Sequence, residues 1–239
     1  MSDRTALVVG GTSGIGLATA RQLLNRGADV HVTGRGQARL DELTASDPGL
    51  HGHRADGGDG DQMAALVESI GQLDWLVIAL SGAQGAGPIG ELDLGVLRNA
   101  FDAKFWAHLT TLQAALPRLA PTGSITFISA ASARASLPGT AGLAAINGAL
   151  EAIVKPLAVE LAPIRVNAVS PGITDTPWWS GLPADDRAAY FVQAAQSLPA
   201  RRVPTADEVA EAVVLAATNP NITGTVLETD GGARLVQMG

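Results

Sequence analysis

Short apolar runs recur along this chain, with longer stretches of helical spacing between them. Ala6–Val9, Asp29–Thr33, His51–Arg54, Trp75–Ala79, Ser124–Ile128, Ile164–Val169 and Thr225–Glu228 have the length and setting of strands. The intervening periodicity predicts helices over Leu17–Leu24, Asp61–Ile70, Leu92–Leu119, Gly139–Leu161 and Thr205–Thr218. Pro117 should end its helix and Pro156 should distort its own, because proline removes a helix hydrogen bond and crowds the preceding turn. Strand and helix alternate, which predicts an α/β fold: a doubly wound parallel sheet covered by helices on both faces.

The chain has 239 residues, enough for one sizeable core, and its glycine-containing stretches at Asp56–Asp61 and Gly82–Gly90 read as loops rather than linkers. One domain is therefore expected. Formal net charge is -7 with the basic residues scattered, so the electrostatic footprint of a nucleic-acid binder is missing. Met1-Ser2-Asp3-Arg4 leads straight into a strand, and no apolar run has the length of a bilayer span, so a cytoplasmic protein without a membrane partner is expected. Cysteine is absent, which excludes disulfides, thiolate metal ligands and a cysteine nucleophile. His31, His51, His53 and His108 lack a metal-binding spacing, and no metal site is expected.

Candidate chemistry begins at Gly10-Gly11-Thr12-Ser13-Gly14-Ile15-Gly16, between the first strand and the first helix. Glycines there let the backbone approach a pyrophosphate, and the amides and dipole of the following helix attract the anion. Gly10, Thr12, Ser13, Gly14, Ile15 and Gly16 are the candidate contacts. The second strand ends at Gly34-Arg35, where an adenosine ribose would lie. A guanidinium at Arg35 holds a 2'-phosphate by charge-assisted bonds, which favours NADP(H) over NAD(H). Arg39 is near enough to share or replace that role, and a solvated surface arginine is the alternative. Asp56 is placed either to accept from an adenine amino group or to form the turn before Gly57-Gly58.

These residues, together with Ile164–Gly172, Thr223-Gly224 and Asp230-Gly231-Gly232, resemble the short-chain dehydrogenase/reductase family over essentially the whole chain. The resemblance implies a single Rossmann-like domain of about seven parallel strands, a nicotinamide cofactor, a small-molecule substrate, and a homodimer or homotetramer packed through two long helices. Pro171-Gly172-Ile173-Thr174-Asp175-Thr176 keeps the family's Pro-Gly-x-x-x-Thr pattern, so Pro171, Gly172, Thr174 and Thr176 are expected at the nicotinamide carboxamide. The family's Asn-Ala-Gly loop is replaced by Ala79-Leu80-Ser81-Gly82, leaving Ser81 as the polar contact there. The family's Asn-Ser-Tyr-Lys active site maps residue by residue onto Lys104, Ala130, Leu143 and Asn147, so all four positions differ. The sole tyrosine, Tyr190, lies elsewhere.

Lys104 is the favoured functional residue: a desolvated ammonium polarises a carbonyl, stabilises an enolate or protonates an alkoxide. A structural lysine is the alternative. Asn147 is expected across the same cavity. Ser132 replaces the missing hydroxyl if extended structure persists past Ala130, with Ser129 as the second choice. Residues 176–200 correspond to a substrate lid, in which Tyr190 either brings a phenol over the pocket on closure or, with Trp178, Trp179 and Phe191, forms an apolar wall. The leading expectation is an atypical NADP(H)-dependent oxidoreductase acting on a small apolar carbonyl, enone or imine. A non-redox isomerase, cyclase or lyase, and a non-catalytic NADP(H)-binding sensor or partner subunit, are the alternatives.

Overall fold

A computed structural model describes residues 4–82 and 84–236. In chain order the regular elements are β1 (Thr5–Val9), α1 (Gly14–Asn25), β2 (Asp29–Gly34), α2 (Gln37–Ser46), β3 (Leu50–Arg54), α3 (Gly60–Ile70), β4 (Leu73–Ile78) and α4 (Leu94–Phe101). They continue with α5 (Ala107–Ala115), β5 (Leu119–Ile128), α6 (Ala141–Glu160), β6 (Arg165–Pro171), α7 (Ala184–Ser197), α8 (Ala206–Thr218) and β7 (Val226–Thr229). Among the described residues one 7-stranded parallel sheet runs in the order β3-β2-β1-β4-β5-β6-β7.

Strand alternation divides the core into two layers. Ala6 and Val8 of β1 face one way, where Ala20 and Leu23 of α1 and Val209, Val213 and Val214 of α8 complete a buried cluster. Leu7 and Val9 face the other way, against Met63 and Val67 of α3, Leu112 of α5 and Val154 of α6. The chain winds outward from β1 to β3, then returns to place β4 on the other flank of β1. That reversal opens a crevice at the carboxyl ends of β1 and β4, the place where ligands bind in doubly wound sheets.

Several expectations change in detail. The helix read over Leu92–Leu119 is broken: α4 passes into a π-helical turn at Asp102–Trp106, then α5, and a 3-10 turn at Leu116–Arg118 closes it beside Pro117. Pro156 sits on the exposed side of α6, which continues to Glu160. Two helices escape the periodicity. Only Leu40 and Leu43 of α2 are buried, and only Ala194 of α7, so neither presents an apolar stripe. By length and composition α6 is also apolar enough to cross a membrane, contrary to the sequence reading. In the fold it is a layer helix, with Val154 packed on Val166 and Ala168 of β6.

The Arg165-Val166-Asn167 stretch of β6 serves α8. Arg165 is buried, and its guanidinium donates to the carbonyls of Ala216 (2.9 Å) and Ala217 at the end of that helix and of Ile222 (3.1 Å) in the loop after it. Asn167 Nδ2 donates to Ile222 O at 2.9 Å. A cation at a helix C-terminus meets both the unpaired carbonyls and the negative end of the dipole. At the other end Thr205 and Glu208 form a reciprocal capping box.

Candidate active site

The crevice holds two cavities that share Gly10, Ser13 and the loop from Ala79 to Gly82. One, of about 990 Å³, reaches past Thr12 to Arg35 and Asp56. The other, of about 490 Å³, extends across Gly14, Ile15 and Gly16 to Lys104, Asn147 and the Pro171–Thr176 loop. The glycines are required by packing: Gly10 has φ +80° and a Cβ there would lie 2.7 Å from Ala79 O, while a Cβ on Gly16 would collide with Gly10 O. α1 starts at Gly14 without a capping bond from the Ser13 side chain and without an acidic residue in its first turn. Backbone brought this close to an open helix start fits a dinucleotide's pyrophosphate.

The outer cavity is lined by Arg35, Asp56 and Ser81. Arg35 is exposed at the end of β2, whereas Arg39 donates to Thr12 O at 3.1 Å and so braces the glycine turn from behind. Asp56 Oδ1 accepts from Gly58 N at 3.0 Å, which shapes the turn while its carboxylate still borders the cavity.

In the inner cavity Lys104 lies on the π-helical turn, a geometry common at functional sites. Its side chain is buried, and Nζ donates to Ser129 O at 3.3 Å. Burial pushes the ammonium down and the negative charge of Glu151 offsets part of that, leaving it at about 8. Behind it His108 has Nδ1 2.7 Å from Lys104 O and Nε2 3.1 Å from Ile78 O. Burial, then the charge of Lys104, holds this imidazole down to about 3, so it is neutral and donates to one carbonyl at a time.

Asn147 Nδ2 donates to Leu143 O (2.9 Å) and Ser132 Oγ (3.1 Å), and its buried Oδ1 has no partner. Ser132 therefore reaches the cavity, though from a 3-10 turn over Ala131–Ala133 rather than from extended chain. Ser129 also lines the cavity, with its hydroxyl donating to Glu151 Oε1 at 2.8 Å. Pro171, Gly172, Thr174 and Thr176 form the opposite rim. Trp179 ties the segment after them down by donating from Nε1 to Thr174 O at 2.9 Å, and its ring packs against Trp178, Tyr190 and Phe191. Of those, Trp178, Trp179 and Tyr190 face the cavity. Burial raises the Tyr190 phenol above its ordinary value, which keeps it protonated.

Glu151 was not among the sequence candidates. It lies one helical turn beyond Asn147 and two beyond Leu143 on α6, a spacing that puts all three on one face. Its second oxygen accepts from Arg134 Nε at 2.7 Å, and Arg134 pairs in turn with Glu228. Among the described residues no group of three or more metal-ligating side chains is arranged to hold a metal ion.

A family model described as enoyl-(acyl carrier protein) reductase matches residues 9–234. A cis-4-hydroxycyclohexanecarboxylate dehydrogenase of Sinomonas cyclohexanicum is 33% identical, over 97% of this chain and 96% of its own length. Among solved structures, a small-chain dehydrogenase in complex with NADPH is 36% identical with a TM-score of 0.86, over 98% of this chain and 100% of that one. The MalC reductase/Diels-Alderase of Malbranchea aurantiaca is 25% identical with a TM-score of 0.87, over 97% and 96%. The chain belongs to the short-chain dehydrogenase/reductase family, a family of oxidoreductases.

Proposed function

We propose that this protein is an atypical NADP(H)-dependent oxidoreductase acting on a small apolar carbonyl, enone or imine, with Lys104 as proton donor. The observation that carries this reading is a buried ammonium, that of Lys104, in the wall of the cavity that Leu143 also lines. The glycine turn and the amides of α1 would hold the pyrophosphate. Arg35, with Arg39 bracing the turn, would hold the 2'-phosphate, and Asp56 the adenine amino group. Ser81 would border the nicotinamide ribose, and the Pro171–Thr176 loop would hold the carboxamide. Bound NADPH supplies the hydride.

Everything else falls to the chain's own residues. Lys104 donates a hydrogen bond to the substrate oxygen as negative charge develops, then passes it a proton. With its affinity for that proton lowered to about 8, the group is mostly charged at neutral pH yet acidic enough to give the proton up. The Ser132 hydroxyl and the unpartnered Asn147 Oδ1 orient the polar end of the substrate. Residues 176–200 act as a lid within the single domain, and Trp178, Trp179 and Tyr190 exclude water from the reacting atoms. Exposed Trp106, beside α5, and Val159 of α6 suit pairing of two copies as a homodimer or homotetramer. A cytoplasmic location accords with this reading.

Titration with NADPH and NADH, followed by tryptophan fluorescence, tests the cofactor half; tighter NADPH binding is expected. Turnover on a panel of ring-bearing carbonyls tests the chemistry. Lys104→Ala should lower it on the order of 10²- to 10⁴-fold. Turnover equal to the parent's would remove Lys104 from the mechanism.

A further inference from the structure

The chain contains two lysines, Lys104 and Lys155, and they occupy opposite environments. Lys155 is exposed on α6, while Lys104 is 8% exposed and opens onto the inner cavity. Among the described residues no carboxylate lies within ion-pairing distance of the Lys104 ammonium, and its single hydrogen bond, to Ser129 O, is long at 3.3 Å. A buried amine held this loosely, in a cavity walled by Leu143, Trp178, Trp179 and Tyr190, has the setting of a nucleophilic lysine.

We infer that Lys104 captures apolar, ring-bearing aldehydes and ketones as a Schiff base, a second chemistry of this cavity that needs no nicotinamide. The Nζ lone pair forms a bond to the carbonyl carbon. The carbonyl oxygen then departs as water with the two hydrogens of the free amine, so C=N replaces C=O and nothing is oxidised or reduced. Ser132, whose oxygen already accepts from Asn147, relays one of these protons, giving its own to the departing oxygen and recovering one from the nitrogen. Asn147 Oδ1, buried and unpartnered, accepts from the carbinolamine hydroxyl.

The charged groups around the amine suit both ends of the step. Glu151 on α6, linked through the Ser129 hydroxyl, offsets the positive charge of a protonated Schiff base, while Arg134 shares its second oxygen. His108 on α5 is neutral and adds no opposing charge. Because burial brings the ammonium down to about 8, a far larger share of Lys104 than of an ordinary lysine is free amine near neutral pH. The inference rests on the reading above for the entry of carbonyls into this cavity and for the place of Lys104, Ser132 and Asn147 beside them, but needs no cofactor.

Benzaldehyde with sodium cyanoborohydride at pH 7.5, followed by peptide mapping, is the test. Benzylation of Lys104 should run on the order of tenfold faster than that of Lys155, because the gain in free amine outweighs the lower nucleophilicity of a less basic nitrogen. Lys104→Arg should lose that label and leave the one on Lys155 unchanged. Glyoxylate, small and charged, should show a smaller preference for Lys104 than benzaldehyde does. A benzylation rate at Lys104 equal to or below that at Lys155 overturns the inference, and mapping of the parent protein decides this even if the variant does not fold. Parallel NADPH turnover separates the two readings: labelling without turnover removes the proton donor and keeps the capture site, and turnover without labelling does the reverse.

Discussion

Arg165 and Lys104 are both cations buried to a similar degree, and they are treated in opposite ways. Arg165 is surrounded by acceptors, with two carbonyls in the last turn of α8 and a third in the loop after it taking its N–H groups. Lys104 has one long bond, and its nearest countercharge acts through a serine. Desolvation lowers the proton affinity of both, yet a guanidinium stays charged under any ordinary condition, whereas an amine brought down to about 8 exchanges its proton near neutrality. A buried charge that is fully bonded holds a fold together. One left short of partners is held ready for something that is not part of the fold.

The comparison breaks most visibly at Arg165. Arg165→Met removes its bonds to the carbonyls of Ala216, Ala217 and Ile222, leaving Asn167 and Ser124 as their remaining side-chain donors, and should cost about 3 kcal/mol through the loss of several charge-assisted bonds, read as a lower urea midpoint. Lys104→Met should do the opposite. The ammonium is bound less tightly in the folded state, about 8, than in the unfolded chain, so below pH 8 the parent carries the cost of a buried charge. As pH rises from about 8 towards the ordinary lysine value, the unfolded chain binds more protons than the folded one, and the parent gains stability. The variant should therefore be the more stable by roughly 1–3 kcal/mol at pH 7, with the difference vanishing near pH 10.5. Urea denaturation of both proteins across that range checks the sign. At the other end of α8, Thr205→Ala removes half of the capping box and should cost only about 1 kcal/mol, which would rank the two ends of one helix by how buried their caps are.

Much of this was legible in the chain. The run Ala6–Val9 is a buried strand because nothing polar interrupts it, Ser124–Ile128 carries only small hydroxyls between its apolar residues, and the glycine turn between β1 and α1 announces its own geometry. What was not legible rests on partners distant in sequence. α2 and α7 bury too little to print a period. Ser132 seemed to need extended chain, yet a 3-10 turn delivers it to the cavity. Glu151 shares a helix face with Asn147, but its bond to Ser129 depends on how α6 lies across β5. Arg165 read as part of a motif, and only the end of α8 explains why the motif has an arginine there.

The π-helical turn at Asp102–Trp106 has a further consequence. It has the geometry of an α-helix with one residue too many, and the surplus is absorbed within a single turn, so the helices on either side keep their own faces towards the core. Removing one residue there would restore ordinary winding and swing Lys104 by about 100° away from its present direction. The direction of the Lys104 side chain therefore hangs on a single codon's worth of length, in a segment where Ala107, Leu112 and the rest of the α5 core would scarcely register the change. The direction of one buried amine and the packing of the layer around it are thus set by separate stretches of one continuous rod.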